Sequence, residues 1–357
     1  MLRLYQIERG KATVKESVLY EKLKDKTVKC KTCSHFCVVA LGKRGICGVR
    51  ENIGGKLHLL AYGRAIAANI DPVEKKPLFH FMPGTPTLSI GTVGCNFRCG
   101  NCQNWSISQF GKMPETTREM IEASGENLPP EEIVRLAEEN NCPSASYTYT
   151  EPTIFLEYAL DTMKLARSAG LKNIWVSNGF MSPQTLKLVI PWLDAINIDI
   201  KSFEDKFYRE NCGARLKPIL ENCREVMKNK IWLEITTLII PTLSDGEKML
   251  EKIASFIKNE LGDFVPWHVS AFSGAISWKL GHLPETPIEK IKRAYEIGKA
   301  VGLKYVYAGN VPGSEMESTY CRKCKEKMIS RTGYDIERFD KEGKCEKCSE
   351  DLDIIQK

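Results

Sequence analysis

Residues 87–105 read TLSIGTVGCNFRCGNCQNW. An apolar run, Leu88 to Val93, has the length and composition of a buried strand, and Gly91 and Gly94 loosen the chain at its end. Cys95, Cys99 and Cys102 then follow in a C-x3-C-x2-C spacing, close enough for one loop to aim three thiolates at a single centre. Three cysteines on a four-iron cubane leave one iron without a protein ligand. An open coordination position distinguishes a reactive metal centre from a structural one. The stretch therefore predicts an iron–sulfur loop at the C-terminal end of a strand.

The rest of the cysteine inventory supports a metal-rich, reduced chain. The 357 residues include 14 cysteines. Cys30, Cys33, Cys37 and Cys47 form C-x2-C-x3-C-x9-C, and Cys321, Cys324, Cys345 and Cys348 form two C-x2-C knuckles. The doubled knuckle predicts a structural zinc site, because the segment between, EKMISRTGYDIERFDKEGK, has too few apolar residues for a core of its own. The N-terminal set suits either zinc or an iron–sulfur cluster; His35 reads as a neighbour there, not a ligand. Cys142 and Cys223 read as packing residues, and Cys212 as a buried thiol or a contact on the substrate side.

Composition bounds the class. With 43% apolar and 27% charged residues the chain is globular, and it contains no apolar run long enough to span a membrane. The opening MLRLYQIERGKATVKESVLYEKLKDK is charged throughout and has no apolar signal core, so a cytoplasmic location is expected. A formal charge of +6 permits a nucleic-acid partner without indicating one, since metal-bound thiolates would lower it.

Outward from the cysteine loop, short apolar runs alternate with helical periodicity. Strand candidates are Leu88–Val93, Ala145–Thr150, Asn173–Ser177, Ala195–Lys201, Ile231–Ile239, His268–Phe272 and Lys304–Ala308. PEEIVRLAEEN and TIFLEYALDTMKLARSAG carry helical spacing, the second stopping at Gly170. This alternation predicts an α/β fold, a partial or full (β/α) barrel over 85–310, with a Cys-rich N-terminal region over 1–84 and a zinc-ribbon-like module over 311–357. Chemistry in such barrels sits where strands end. Thr148, Thr150 and Glu151, then Ser177, Asn178 and Gly179, occupy such ends. Asp199 and Lys201 lie two apart, on one strand face, as do Glu234 with Thr236 and His268 with Ser270. Each could instead be a structural pair or a packed core residue; Trp267, Phe272 and Trp278 are plain aromatics.

The C-x3-C-x2-C loop after the first strand resembles the radical S-adenosylmethionine (SAM) enzymes. The resemblance implies that Cys95, Cys99 and Cys102 hold a [4Fe-4S] cluster whose open iron binds SAM. It further implies that an electron donor drives cleavage of SAM to methionine and a 5′-deoxyadenosyl radical, which takes hydrogen from a substrate. YTYTEPT resembles the family's Gly-Gly-Glu stretch, with threonines at both glycine positions and Glu151 facing the SAM amino group; Ser-Asn-Gly at 177–179 resembles a turn beside the ribose. NIDIKSF resembles the Asp-x-Lys motif of pyruvate formate-lyase activating enzymes, with Lys201 on the SAM carboxylate. Glu234 and His268 are placed with the cofactor set. One departure is Asn101, where the family usually has an aromatic residue before the third cysteine.

HFCVVALGKRGICGVREN, DPVEKKPLFHFMPGT, GTVGCNFRC, CQNW, YTYTEPTIFLEYALDT and NIDIKSF together are similar to the AmmeMemoRadiSam system radical SAM enzymes. That likeness implies association with AMMECR1-family and Memo-family proteins and leaves the substrate open. The expectation is a radical SAM enzyme. Alternatives are a glycyl-radical-enzyme activating enzyme, an RNA-modifying enzyme, or a non-catalytic zinc-binding adaptor.

Overall fold

A computed structural model describes residues 14–356, so the first thirteen residues of the charged N-terminal stretch lie outside the described residues. Two compact units emerge. One runs through Ile70 and takes in Thr87–Arg98 and Asn104–Asp194; the other comprises Asp71–Pro86, Cys99–Gln103 and everything from Ala195 onward.

All seven sequence-predicted strands form. In the first unit they are β1 (Pro86–Gly91), β2 (Ser144–Tyr147) and β3 (Lys172–Ser177). β2 pairs in parallel with β1 through Ala145↔Leu88 and with β3 through Ala145↔Asn173. In the second unit β4 (Ala195–Asp199), β5 (Trp232–Ile239), β6 (Trp267–Ala271) and β7 (Val306–Gly309) pair in parallel in chain order. Parallel strands are covered on both faces, which is why β2 is buried at every residue and β4 at all but Asp199.

Helices connect successive parallel strands: α1 (Pro130–Glu139), α2 (Leu156–Ser168), α3 (Pro183–Val189), α4 (Lys217–Lys228), α5 (Glu247–Phe256) and α6 (Ile288–Val301). α1 shows the local logic. Pro130 needs no N–H partner at its first position, Glu131 and Glu132 face the helix dipole, and Ile133, Val134 and Ala137 form the buried stripe. α2 stops where expected, with Gly170 at φ +78° just beyond it. Each Ile or Leu that such a stripe buries contributes about 1.5–3 kcal/mol.

The cysteine-rich ends are small antiparallel sheets. Before β1, the hairpin strands Tyr20–Lys22, Val28–Cys30 and Val38–Val39 carry two of the N-terminal cysteines at or beside their ends. After β7, Thr319–Tyr320, Lys327–Thr332 and Asp335–Arg338 form another three-stranded sheet. Its core holds only Met328, Ile329, Leu352 and Ile354 beside the cysteines. Among the described residues no helix is long and apolar enough to cross a membrane.

Candidate active site

In the first unit the approach to Cys95 is tight. A Cβ on Gly91 would lie 2.7 Å from the Thr148 carbonyl oxygen, and Gly94 has φ +95°, so glycine is required at both turns. The segment after β2 folds against this turn. Thr150 Oγ1 donates to the Thr92 carbonyl at 2.9 Å, and Asn104 Nδ2 donates to the Tyr149 carbonyl at 2.7 Å. Tyr149 itself sits at φ +64°, a strained conformation for a residue with a side chain.

Glu151 is fully buried. Its Oε1 accepts from the Thr153 amide (3.1 Å), Thr153 Oγ1 (2.5 Å) and Ser177 Oγ (2.9 Å), and its Oε2 accepts from the Asn178 amide (2.8 Å). Burial pushes its carboxyl up from the ordinary value against those hydrogen bonds. The carboxylate is turned into the protein and caps the helical turn that begins at Pro152. Glu151 thereby shapes the turn that follows the strand. Asn178 is equally committed, accepting from the Phe180 amide at 3.0 Å and donating to Asn96 Oδ1 at 2.7 Å, beside Cys95.

The second unit holds the other half of the loop. Lys201 Nζ lies 2.6 Å from Asp199 Oδ2, as the two-residue spacing predicts. Burial works against the lysine's charge, but Asp199 and the Cys99 and Cys212 sulfurs outweigh it and hold the ammonium. The Cys99 thiol is pushed well up by its hydrogen bond with Cys212, then by burial. Cys212 thus lies against a loop cysteine and is not an isolated packing residue, unlike Cys142 and Cys223. It ends a π-turn, Tyr208–Cys212, that grips the loop. The Gly100 amide donates to Asn211 Oδ1 at 3.1 Å, and Asn211 Nδ2 donates to Asn101 Oδ1 at 2.8 Å. On the other side, Ser277 Oγ donates to the Gly100 carbonyl at 3.0 Å. A Cβ on Gly100 would meet Asn211 Oδ1 at 2.8 Å. Sequence reading missed Asn211, whose signal is the polar partner that Asn101 needs once it replaces an aromatic ring.

The loop cysteines are free thiols, the donor chemistry that an iron–sulfur cluster takes.

Glu234 and His268 pair with each other in the second unit. Glu234 is the third residue of β5 and accepts four hydrogen bonds: from the His80 amide (2.8 Å) and Trp232 Nε1 (3.0 Å) at Oε1, and from the Phe79 amide (2.9 Å) and His268 Nε2 (2.7 Å) at Oε2. Burial opposes its charge, yet these bonds hold its carboxyl below the ordinary range. These bonds make the pair a structural hub of the second unit. The hub extends through His80, whose Nε2 lies 2.6 Å from Tyr307 Oη, and through Arg331, whose guanidinium is 4.2 Å from the Phe79 ring and donates to the Phe79 carbonyl at 2.7 Å.

Burial depresses His80 to about 4. Its neutral form therefore contributes stability above the unfolded value near 6.5, and that stability is lost as pH falls toward 4. Between pH 6.5 and 4 the wild type should lose on the order of 3 kcal/mol from this group. Urea midpoints measured across that window should fall less steeply in His80→Asn; an equal slope would count against it.

At the C-terminus, Cys321, Cys324, Cys345 and Cys348 bring their sulfurs within 4.8 Å of one another, with two S···S contacts of 3.5 Å, a fit for a metal ion. Cys30, Cys33, Cys37 and Cys47 line one small cavity with Arg50.

Comparison with known proteins places the chain in a family. Residues 89–257 match the model of the Radical SAM superfamily. The chain is 45% identical over 345 residues to the uncharacterized protein MJ0808 of Methanocaldococcus jannaschii, covering 96% of this chain and 100% of that one. It is 25% identical over 195 residues to the pyruvate formate-lyase-activating enzyme of Clostridium pasteurianum, covering 52% and 76% respectively. A solved domain of a pyruvate-formate lyase-activating enzyme from Bacteroides vulgatus aligns with TM-score 0.41 at 18% identity, over 47% of this chain and 99% of that one. An enzyme family with an iron–sulfur cluster and SAM removes the alternative of a non-catalytic zinc-binding adaptor. The chain is a radical SAM superfamily enzyme, related to the pyruvate formate-lyase-activating enzymes.

Proposed function

We propose that Cys95, Cys99 and Cys102 ligate the [4Fe-4S] cluster within a (β/α) barrel spanning 85–310, and that the enzyme takes a hydrogen atom from its substrate. When bound, the cluster supplies the electron that cleaves SAM. The chain's own residues position and charge-balance that site. The Asp199–Lys201 pair keeps a cation beside Cys99, Asn211 and Ser277 fix Gly100 and Asn101, and Glu151 with Asn178 fixes the turn next to Asn96. The observation that carries the reading is the C-x3-C-x2-C loop at the end of β1, with the Lys201–Asp199 ion pair, 2.6 Å long, among the groups that act on Cys99. Over 311–357, the C-terminal thiols hold zinc.

Glycyl-radical-enzyme activation is the second reading, favoured by relatives named as activating enzymes of pyruvate formate-lyase and of (2S)-3-sulfopropanediol dehydratase. The six stretches shared with AmmeMemoRadiSam enzymes support AMMECR1-family and Memo-family proteins as partners. The test is anaerobic metal content with an assay for 5′-deoxyadenosine. Wild type reduced in the presence of SAM should form the product, and Cys99→Ala should lose cluster absorbance and fall to background; a Cys99→Ala variant cleaving SAM at the normal rate would sink the assignment.

A further inference from the structure

Cys95 is held on both sides by the cysteine-rich N-terminal hairpin. Before it, a Cβ on Gly94 would lie 2.9 Å from the Cys47 carbonyl oxygen and 2.7 Å from Val49 Cγ1, so the two backbones are in direct contact. After it, the Asn96 carbonyl is 2.8 Å from His35 Nε2, and His35 lies between Cys33 and Cys37. The same hairpin is fastened to the end of β3. The Ser34 amide donates to the Phe180 carbonyl at 3.0 Å, Ser34 Oγ to the Met181 carbonyl at 3.0 Å, and the His35 ring packs 4.8 Å from that of Phe180.

The four N-terminal thiols stand around one space in the first unit. They line one small cavity, and backbone amides donate to the sulfurs: His35 to Cys33, Ile46 to Cys37, and Val49 and Arg50 to Cys47. The C-terminal knuckles use the same device, with Lys323 and Cys324 donating to Cys321, and Lys347 and Cys348 to Cys345. Burial pushes the Cys33, Cys37 and Cys47 thiols up, and the amide donors offset part of that rise. A buried cation completes the surroundings: Arg50 lines the cavity, and its guanidinium bonds Glu157 at 2.6 and 3.0 Å, Ser17 Oγ at 2.6 Å and the Ile154 carbonyl at 3.1 Å. Three buried thiols and the half-buried Cys37, set around one cavity beside a fixed cation, have little use as packing.

We propose that Cys30, Cys33, Cys37 and Cys47 bind a metal as four thiolates, and that this centre braces the catalytic loop at Gly94 and Asn96, on either side of Cys95. Its ligand chemistry is zinc or iron–sulfur. The bracing role rests on the reading of Cys95 as a cluster ligand; the metal site does not.

The test separates the two. In a Cys95→Ala/Cys99→Ala/Cys102→Ala background, where the catalytic ligands are gone, anaerobically purified protein should retain two metal sites per chain. Adding Cys321→Ser/Cys324→Ser should leave one, and adding Cys30→Ser/Cys33→Ser should remove it. Zinc, or iron with acid-labile sulfide, each supports the site and names its metal; no metal left after the C-terminal substitutions overturns it, without any appeal to SAM cleavage. His35→Ala keeps all four thiols, so it reports on bracing even where the serine variants fail to accumulate. Amide hydrogen exchange across 94–97 should quicken about tenfold or more in His35→Ala, with metal content unchanged. Exchange equal to wild type would overturn the bracing role.

Discussion

Replacing Glu234 by alanine should prevent the chain from accumulating as folded protein. The carboxylate accepts from two backbone amides, an indole and an imidazole, and it has no exposure to solvent. Removing it strands the Phe79 and His80 amides in a dry interior, where each unsatisfied group costs about 1–3 kcal/mol. Breaking a buried charged contact of this kind typically costs about 3–5 kcal/mol, against a total stability of about 5–15 kcal/mol for a folded domain. Glu234→Gln separates charge from connectivity. Its amide keeps one acceptor oxygen and can donate to His268 in the other tautomer, so a loss of about 2–4 kcal/mol is expected. Urea denaturation of Glu234→Gln, and the soluble yield of Glu234→Ala, measure the two effects. An alanine variant as stable as wild type would mean that the segment 77–82 is held elsewhere.

The same residue shows where sequence reading has a limit. Strand existence was legible because apolar runs and helical stripes recur with clear spacing, and all seven strands appear within a few residues of their predicted bounds. The two-residue spacing of Asp199 and Lys201 was enough to pair them, since alternate side chains share a strand face. Face alone does not say which partner occupies it. For Glu234, the segment 77–82, far away in sequence, supplies hydrogen-bond partners that the strand pattern does not name. Glu151 is a related case: its strand-end position is legible, while its inward hydrogen bonds depend on Ser177 and Asn178, at the end of another strand. Long-range polar satisfaction has no periodicity for a sequence pattern to carry. The Cys99–Cys212 contact belongs to the same class, because nothing in FYRENCGARLKP announces the loop it meets.

Replacing Lys201 by methionine should lower 5′-deoxyadenosine formation by about 10²–10³-fold, the usual effect of removing one preorganised charge from an active site. Lys201 Nζ is 2.6 Å from Asp199 and its side chain is 14% exposed, so the ammonium is largely shielded from water. Its neighbours are an acid and the Cys99 and Cys212 sulfurs. Methionine preserves much of the side-chain volume and removes the cation, leaving Asp199 uncompensated. Two consequences follow and are separable. The unpaired carboxylate destabilises the fold, and Asp199→Asn/Lys201→Met, which removes both charges, should restore most of that stability. Activity should not return with it, because the lost group is the positive charge facing the loop. Lys201→Arg should recover part of the rate, with a raised KM for SAM, since a planar guanidinium keeps the charge in a different shape. A double variant that regained both stability and rate would reduce Lys201 to a structural ion-pair partner and leave the charge balance at Cys99 to other groups.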